Sequence, residues 1–83
     1  MNYQEALSKG TKILKSSNIK SFNLDSEILL SSSLKLNRSQ LLLNLDKKIN
    51  SEQEKIFFSL IKRRAKFEPI AYITGYKNFW LLH

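Results

Sequence analysis

Helix-breaking residues are almost absent from this 83-residue chain until its last fifth. The only glycines are Gly10 and Gly75, and the only proline is Pro69. Glycine and proline are the strongest local signals for turns and for the ends of helices and strands. The chain before Pro69 is therefore free to be helical, and we predict an all-α fold.

Apolar residues recur at helical spacing in the first segment and predict a helix from about Tyr3 to Ser16. The residues on this face are Tyr3, Ala6, Leu7, Gly10, Ile13 and Leu14. Glycine inside a helix costs about 1 kcal/mol relative to alanine. Since Gly10 lies on the apolar face, we expect another helix to approach closely there. A loop is predicted from Ser17 to Phe22.

Capping patterns predict the next two helices. Asn23 is a candidate N-cap for a second helix from about Leu24 to Lys35. Asn37 is followed three residues later by Gln40, which resembles a capping box and predicts a short third helix. The third helix carries Leu41, Leu42, Leu43 and Leu45, a composition typical of a core helix.

The fourth and fifth helices are predicted from similar signals. Ser51 and Glu54 have capping-box spacing, and the apolar stripe that follows consists of Ile56, Phe57, Leu60 and Ile61. Pro69 is placed as the first residue of a one-turn helix and Gly75 as its C-terminal stop. We predict a small bundle of about five helices, four main helices plus this one-turn helix. It forms a domain over residues 1–75, and 76–83 begin a β-hairpin linker.

Several kinds of active site are excluded by residue content. The chain has no cysteine, its one histidine is His83, and two distant glycines cannot form a phosphate-binding loop. Paired carboxylates, such as Asp25 with Glu27, lie near helix starts, where capping and the helix dipole explain them. We therefore expect no catalytic, cofactor-binding or metal site in this chain, and interpret it as a binding or docking module.

The charge balance suggests an acidic partner, either a nucleic acid or a negatively charged protein surface. The net charge is +7, and eleven of the fourteen basic residues are lysines scattered along the chain. A lysine-rich solvated surface explains this better than a dedicated nucleic-acid patch. The predicted third helix carries Arg38 followed by leucines, which is unlike a helix that reads a DNA groove. We expect no nucleic-acid partner for this domain, no membrane segment, and a cytoplasmic location.

Helical phase predicts an ion pair inside the bundle. On the fourth helix Arg64 falls in the middle of the apolar face, and on the second helix Glu27 falls inside the apolar arc. A buried charge without a partner costs several kcal/mol. We predict a partly buried Glu27–Arg64 pair with a structural role, in which Arg63 or Asp25 is the substitute member. Glu68 is disfavoured as the partner of Arg64, because Pro69 opposes helical geometry at that position.

Four motifs follow one another in the C-terminal part of the chain: Arg63-Arg64, Glu68-Pro69, Tyr72 with Gly75, and Phe79-Trp80. In their order and spacing these motifs resemble the HemK/PrmC family of release-factor glutamine methyltransferases. Upstream, the segment LDSEILL from Leu24 to Leu30 is also similar to that family. One departure is Phe67, at a position where the family often has glycine. A left-handed conformation is costly for phenylalanine, so we expect the fourth helix to end differently here.

The resemblance implies a helical N-terminal domain of a larger enzyme. In that family a second, Rossmann-like domain binds S-adenosylmethionine through a glycine-rich loop. Its Asn-Pro-Pro-Tyr motif holds the glutamine of a Gly-Gly-Gln segment in a peptide chain release factor. Neither motif occurs in this chain.

The role implied for this non-catalytic domain is to dock the release factor for its own C-terminal catalytic domain, the methyltransferase. The motif residues are then Arg63, Arg64, Glu68, Pro69, Tyr72 and Gly75. The alternative is a free-standing basic helical module that binds nucleic acid or a protein partner.

Overall fold

The computed structural model describes residues 1–75, and these form five α-helices without a sheet. The helices are α1 Tyr3–Ser16, α2 Phe22–Leu34, α3 Arg38–Leu42, α4 Ser51–Ala65 and α5 Ile70–Thr74. The predicted all-α bundle is confirmed, including the bounds of the first helix. The predicted start of a β-hairpin at 76–83 lies outside the described residues.

The three long helices form the core, in which α1, α2 and α4 each pack against the other two. The short helices are peripheral: α3 packs on α2, and α5 packs on α4 and α2. The fully buried large apolar side chains are Leu14, Leu29, Leu30, Leu41, Phe57 and Ile61. The start of α1 is tied to the loop before α4, where the Tyr3 amide donates to the Lys47 carbonyl at 2.8 Å.

At Gly10, α4 approaches α1 closely, as predicted. A Cβ atom at this position would lie 2.6 Å from Cζ of Phe57 and 3.0 Å from Cδ1 of Ile61. Atoms this close overlap, so only glycine allows the present spacing of the two helices.

Three helices begin with reciprocal capping boxes, each built by an asparagine and a residue three positions later. The pairs are Asn2 with Glu5, Asn37 with Gln40, and Asn50 with Gln53. The prediction for Asn37 is confirmed. The prediction of a Ser51–Glu54 box is wrong by one residue, because Oδ1 of Asn50 accepts from the Gln53 amide at 2.7 Å.

The predicted start of α2 is also wrong. The helix begins at Phe22, one residue before the predicted cap Asn23. Ser21 occupies the N-cap position without a side-chain capping bond. Its hydroxyl instead donates to Oδ2 of Asp25 at 2.8 Å. The start of α2 is therefore fixed by a contact one turn into the helix.

The end of α4 corrects the expectation for Phe67. This residue adopts the left-handed conformation with φ of 69°, the geometry that glycine usually supplies. The Phe67 amide donates to the Arg64 carbonyl at 2.8 Å, and the Glu68 amide to the Arg63 carbonyl at 3.2 Å. These two bonds form a Schellman motif, which satisfies the last carbonyls of the helix and offsets the strain. The helix thus ends as it would with glycine.

The interpretation of the third helix as a core helix is wrong. Only Leu41 is buried, whereas Leu42 is 47% and Leu43 is 83% exposed. A helix of five residues that packs on one neighbour can bury only one side.

Helix α5 agrees better with the sequence prediction than α3 does. Pro69 occupies the N-cap position, whereas it was predicted as the first residue of the helix. Gly75 ends the helix with φ of 84°.

Candidate functional site

A partly buried ion pair joins α2 to α4, but its acidic member is Asp25. Nε of Arg64 donates to Oδ2 of Asp25 at 2.8 Å. The Asp25 side chain is 5% exposed and that of Arg64 is 19% exposed. The predicted Glu27–Arg64 pair is wrong, and the substitute member named from the sequence takes its place. Arg64 also donates through Nη1 to the carbonyl oxygen of Glu68 at 3.0 Å.

Glu27 pairs with Arg38 of α3 instead. Oε1 of Glu27 accepts from Nη2 of Arg38 at 2.7 Å and from Nε at 3.1 Å. Side chains two positions apart on a helix point in directions about 200° apart. Asp25 therefore faces α4 while Glu27 faces α3, and α2 is held by an ion pair on each side.

Arg63 and Glu68 form the third pair, across the end of α4. Nε of Arg63 donates to Oε1 of Glu68 at 2.9 Å, and Nη2 donates to Oε2. These hydrogen bonds, which favour both charged forms, lower the pKa of the Glu68 carboxyl and raise the pKa of the Arg63 guanidinium. We call the three pairs Asp25–Arg64, Glu27–Arg38 and Arg63–Glu68 the arginine seam.

Most of the motif residues form contacts within the domain or mark the ends of a helix. Arg63 and Arg64 each contact a carboxylate of the same chain. Pro69 and Gly75 lie at the two ends of α5, and Tyr72 lies on that helix and is 60% exposed. The structure brings Arg63, Arg64 and Glu68 together, and it leaves Glu27 with a different partner.

The lysines differ from the arginines in this respect. Every arginine of the chain has a carboxylate partner. Within residues 1–75, no lysine has a carboxylate at ion-pairing distance. The excess positive charge of the domain is therefore carried by side chains that the fold leaves available.

Two of these lysines lie beside a groove between α1 and the start of α2. The groove has a volume of about 370 Å³. Its lining residues are Gln4, Leu7, Ser8, Thr11, Lys12, Lys15, Phe22 and Asn23. None of them is acidic. We call this the lysine groove.

The lysine groove has an apolar floor and a basic rim. Leu7 and Phe22 are half-buried and pack against the core, whereas Lys12 and Lys15 are exposed. Nζ of Lys15 lies 5.6 Å from the centre of the Phe22 ring, within the range of a cation–π contact. Sequence reasoning missed this groove because its walls come from two helices. The signal present in the sequence is a second stripe on α1 at helical spacing, running from Gln4 to Lys15.

No helix among residues 1–75 is long and apolar enough to cross a membrane. No cluster of three or more histidine, cysteine or acidic side chains in the same range is suited to a metal ion.

Comparison with known families gives the same assignment as the sequence resemblance. Residues 5–75 match the family model for the PrmC N-terminal domain. This match spans most of the chain and all five helices of the bundle except the first two residues of α1. The chain belongs to the PrmC N-terminal domain family. Among solved structures, none matches the chain significantly.

Individual relatives of this PrmC domain are methyltransferases by name. A release factor glutamine methyltransferase of Coxiella burnetii is 47% identical over 60 residues, which cover 72% of this chain and 22% of that protein. One from Buchnera aphidicola is 39% identical over 82 residues, covering 99% of the chain and 29% of that protein. A bifunctional methyltransferase of Rickettsia felis is 39% identical, covering 93% and 15% respectively. The chain thus spans less than a third of the length of these relatives.

Proposed function

We propose that this chain is the substrate-docking domain of an S-adenosylmethionine-dependent protein-glutamine methyltransferase that modifies the Gly-Gly-Gln glutamine of peptide chain release factors. The observation that carries the proposal is the family match over residues 5–75. Relatives named release factor glutamine methyltransferase support it. Residues 1–75 then form the docking domain, and 76–83 begin the linker to a catalytic domain. The enzyme acts in the cytoplasm, where release factors work.

Docking, rather than chemistry, is the task that these residues suit. The carboxylates of the arginine seam are engaged with guanidinium groups and are not available as general bases. The unpaired lysines give the domain a positive field, which accelerates encounter with an acidic protein and orients it. In the proposed enzyme this domain holds the release factor while its glutamine enters a separate catalytic domain.

Binding of a purified peptide chain release factor to the 83-residue chain tests this function. We expect a complex by isothermal titration calorimetry, weakened when the salt concentration rises, because exposed charges are screened within about 10 Å at 0.1 M salt. An unrelated protein of equal net negative charge is the control. A release factor that binds no better than this control would contradict the proposal.

The cofactor is expected to bind elsewhere in the enzyme. The chain has no glycine-rich loop that could bring backbone amides to S-adenosylmethionine. Calorimetry with S-adenosylmethionine should therefore show no binding to the chain alone. Micromolar binding would refute the assignment of this chain as a non-catalytic domain.

A further inference from the structure

We infer that the lysine groove is the place where this domain binds its protein substrate, and that the bound element is an acidic segment of the release factor carrying an apolar side chain. The inference rests on the proposed function and names the surface that performs it. It assigns Lys12 and Lys15 to carboxylates of the partner, and Leu7 and Phe22 to an apolar residue between them.

Two faces of α1 have different neighbours, and this difference carries the inference. One face, with Tyr3, Ala6, Gly10 and Leu14, is buried in the domain. The stripe from Gln4 to Lys15 follows the same helical spacing, but it borders the groove. A continuous helical stripe that the domain does not cover is the surface to which a further chain segment can bind.

The polar lining of the groove is neutral or positive. Gln4, Ser8, Thr11 and Asn23 contribute amide and hydroxyl groups, and the two lysines contribute charge. These groups can donate hydrogen bonds to carboxylates and to the backbone of a bound segment. With no acidic residue in the lining, a basic ligand would be repelled. Charge complementarity therefore selects an acidic occupant.

The groove fits a protein segment better than a nucleic acid. Arginine is the residue that recognises phosphate in a bidentate manner. All three arginines of the chain are engaged in the arginine seam. The floor of the groove offers a single aromatic ring, that of Phe22. Successive bases would require several free aromatic faces.

Charge reversal in the groove provides the first arm of the test. The double variant Lys12→Glu/Lys15→Glu is compared with Lys55→Glu/Lys62→Glu on α4. Both pairs consist of one exposed lysine inside the helix and one exposed lysine in its last turn. Each double variant changes the net charge equally, so non-specific attraction to the release factor falls equally in both. We expect the groove variant to lose at least about tenfold more affinity for the release factor than the α4 variant.

Steric blocking provides the second arm. Ser8 lies in the groove lining and is exposed, so Ser8→Trp places an indole in the groove without changing charge. Ser59, which is exposed on α4, gives the matched variant Ser59→Trp. We expect Ser8→Trp to weaken release-factor binding and Ser59→Trp to leave it unchanged. Thermal unfolding of all four variants checks that each remains folded.

The possible outcomes separate the inference from the proposed function. If the unsubstituted chain fails to bind the release factor, both are overturned. If it binds and the groove and α4 variants behave alike, the docking function stands and the groove assignment is wrong. A single-stranded RNA oligonucleotide is titrated in parallel. Binding of the RNA through Lys12 and Lys15, with release-factor binding unaffected by their reversal, would also overturn the inference.

Discussion

The arginine seam and the lysine groove use positive charge in opposite ways. In the seam, three guanidinium groups contact three carboxylates, and the innermost pair is largely shielded from water. In the groove, two ammonium groups stand at an exposed rim with no carboxylate partner. The net charge of +7 therefore comes from two kinds of basic side chain, paired arginines and, within residues 1–75, unpaired lysines. The arginines are paired within the fold, whereas the lysines of residues 1–75 have no carboxylate partner.

The physical reason lies in the two side chains. The planar guanidinium of arginine offers several donors in a fixed arrangement, which suits partly buried contacts between helices. Arg64 uses this geometry to reach both the Asp25 carboxylate and the Glu68 carbonyl. The ammonium of lysine is a strongly hydrated point charge on a flexible stem. Such a group remains in water at low cost until an acidic partner approaches.

Breaking the buried pair should have the largest effect on stability. Asp25→Ala leaves Arg64 without its carboxylate in a site where the side chain is 19% exposed. We expect the free energy of unfolding to fall by about 3 kcal/mol, at the lower end for a broken buried pair. Urea denaturation measures this change. The control is Glu27→Ala, whose partner Arg38 is half exposed and which should cost less than about 1 kcal/mol. Equal losses in the two variants would show that burial does not distinguish the pairs.

The packed face of α1 should tolerate substitution less well than the face that borders the lysine groove. Gly10→Ala introduces a methyl group 2.6 Å from Phe57. Overpacking costs about 1–3 kcal/mol, and a contact of 2.6 Å belongs in the upper half of that range. The better helix propensity of alanine offsets about 1 kcal/mol of this cost. We expect a net loss of about 1–2 kcal/mol in thermal or urea unfolding. Ser8→Ala on the groove face should change stability by less than about 0.5 kcal/mol. A Gly10→Ala variant as stable as Ser8→Ala would contradict the close approach of α1 and α4.

The end of α4, where the seam meets the Schellman motif, should gain stability on substitution. Phe67 is 63% exposed and holds φ of 69°. Phe67→Gly removes the steric cost of this conformation, and we expect the free energy of unfolding to rise by about 1 kcal/mol. Phe67→Ala is the control, because it removes the ring but keeps a Cβ. If both substitutions act alike, the ring rather than the backbone determines the effect.

The Arg63–Glu68 pair should make the stability of the fold depend on pH in the acid range. Because hydrogen bonds from Arg63 lower the pKa of Glu68 in the folded state, this carboxylate stabilises the fold above its unfolded pKa. The contribution is lost as the pH falls through the lowered folded pKa. We expect Glu68→Gln to flatten the acid side of the curve of melting temperature against pH by a small amount. Lys12→Ala, in the groove, should leave the shape of that curve unchanged.

Much of the fold follows from sequence because the signals are local. The apolar period and the reciprocal Asn–Gln pair define α1 and α3, and Gly75 ends α5. The errors arise where two local signals compete. Asn50 and Ser51 are neighbours with equally spaced partners, and the first one caps the helix. Which of two neighbouring residues forms the capping hydrogen bond depends on the backbone geometry of that turn, which the sequence does not specify.

The ion pairs and the groove depend on how helices are placed relative to each other. Asp25 and Glu27 both lie near the start of α2, so the sequence allowed either as the partner of Arg64. Which one faces α4 is set by the rotation of α2 in the bundle, and that rotation results from packing of the whole core. The groove between α1 and Phe22 requires the same information. The family motif Arg-Arg with Glu-Pro is visible in sequence, whereas its internal pairing is visible only in the fold.

One NMR titration tests the division between structural arginines and binding lysines. The isotope-labelled chain is titrated with unlabelled release factor, while the arginine Nε–H and lysine side-chain signals are followed together. We predict that the signals of Lys12 and Lys15 shift and that the Nε–H signal of Arg64, bonded to Asp25 at 2.8 Å, does not. A shift at Arg64 with the groove lysines unchanged would contradict this division.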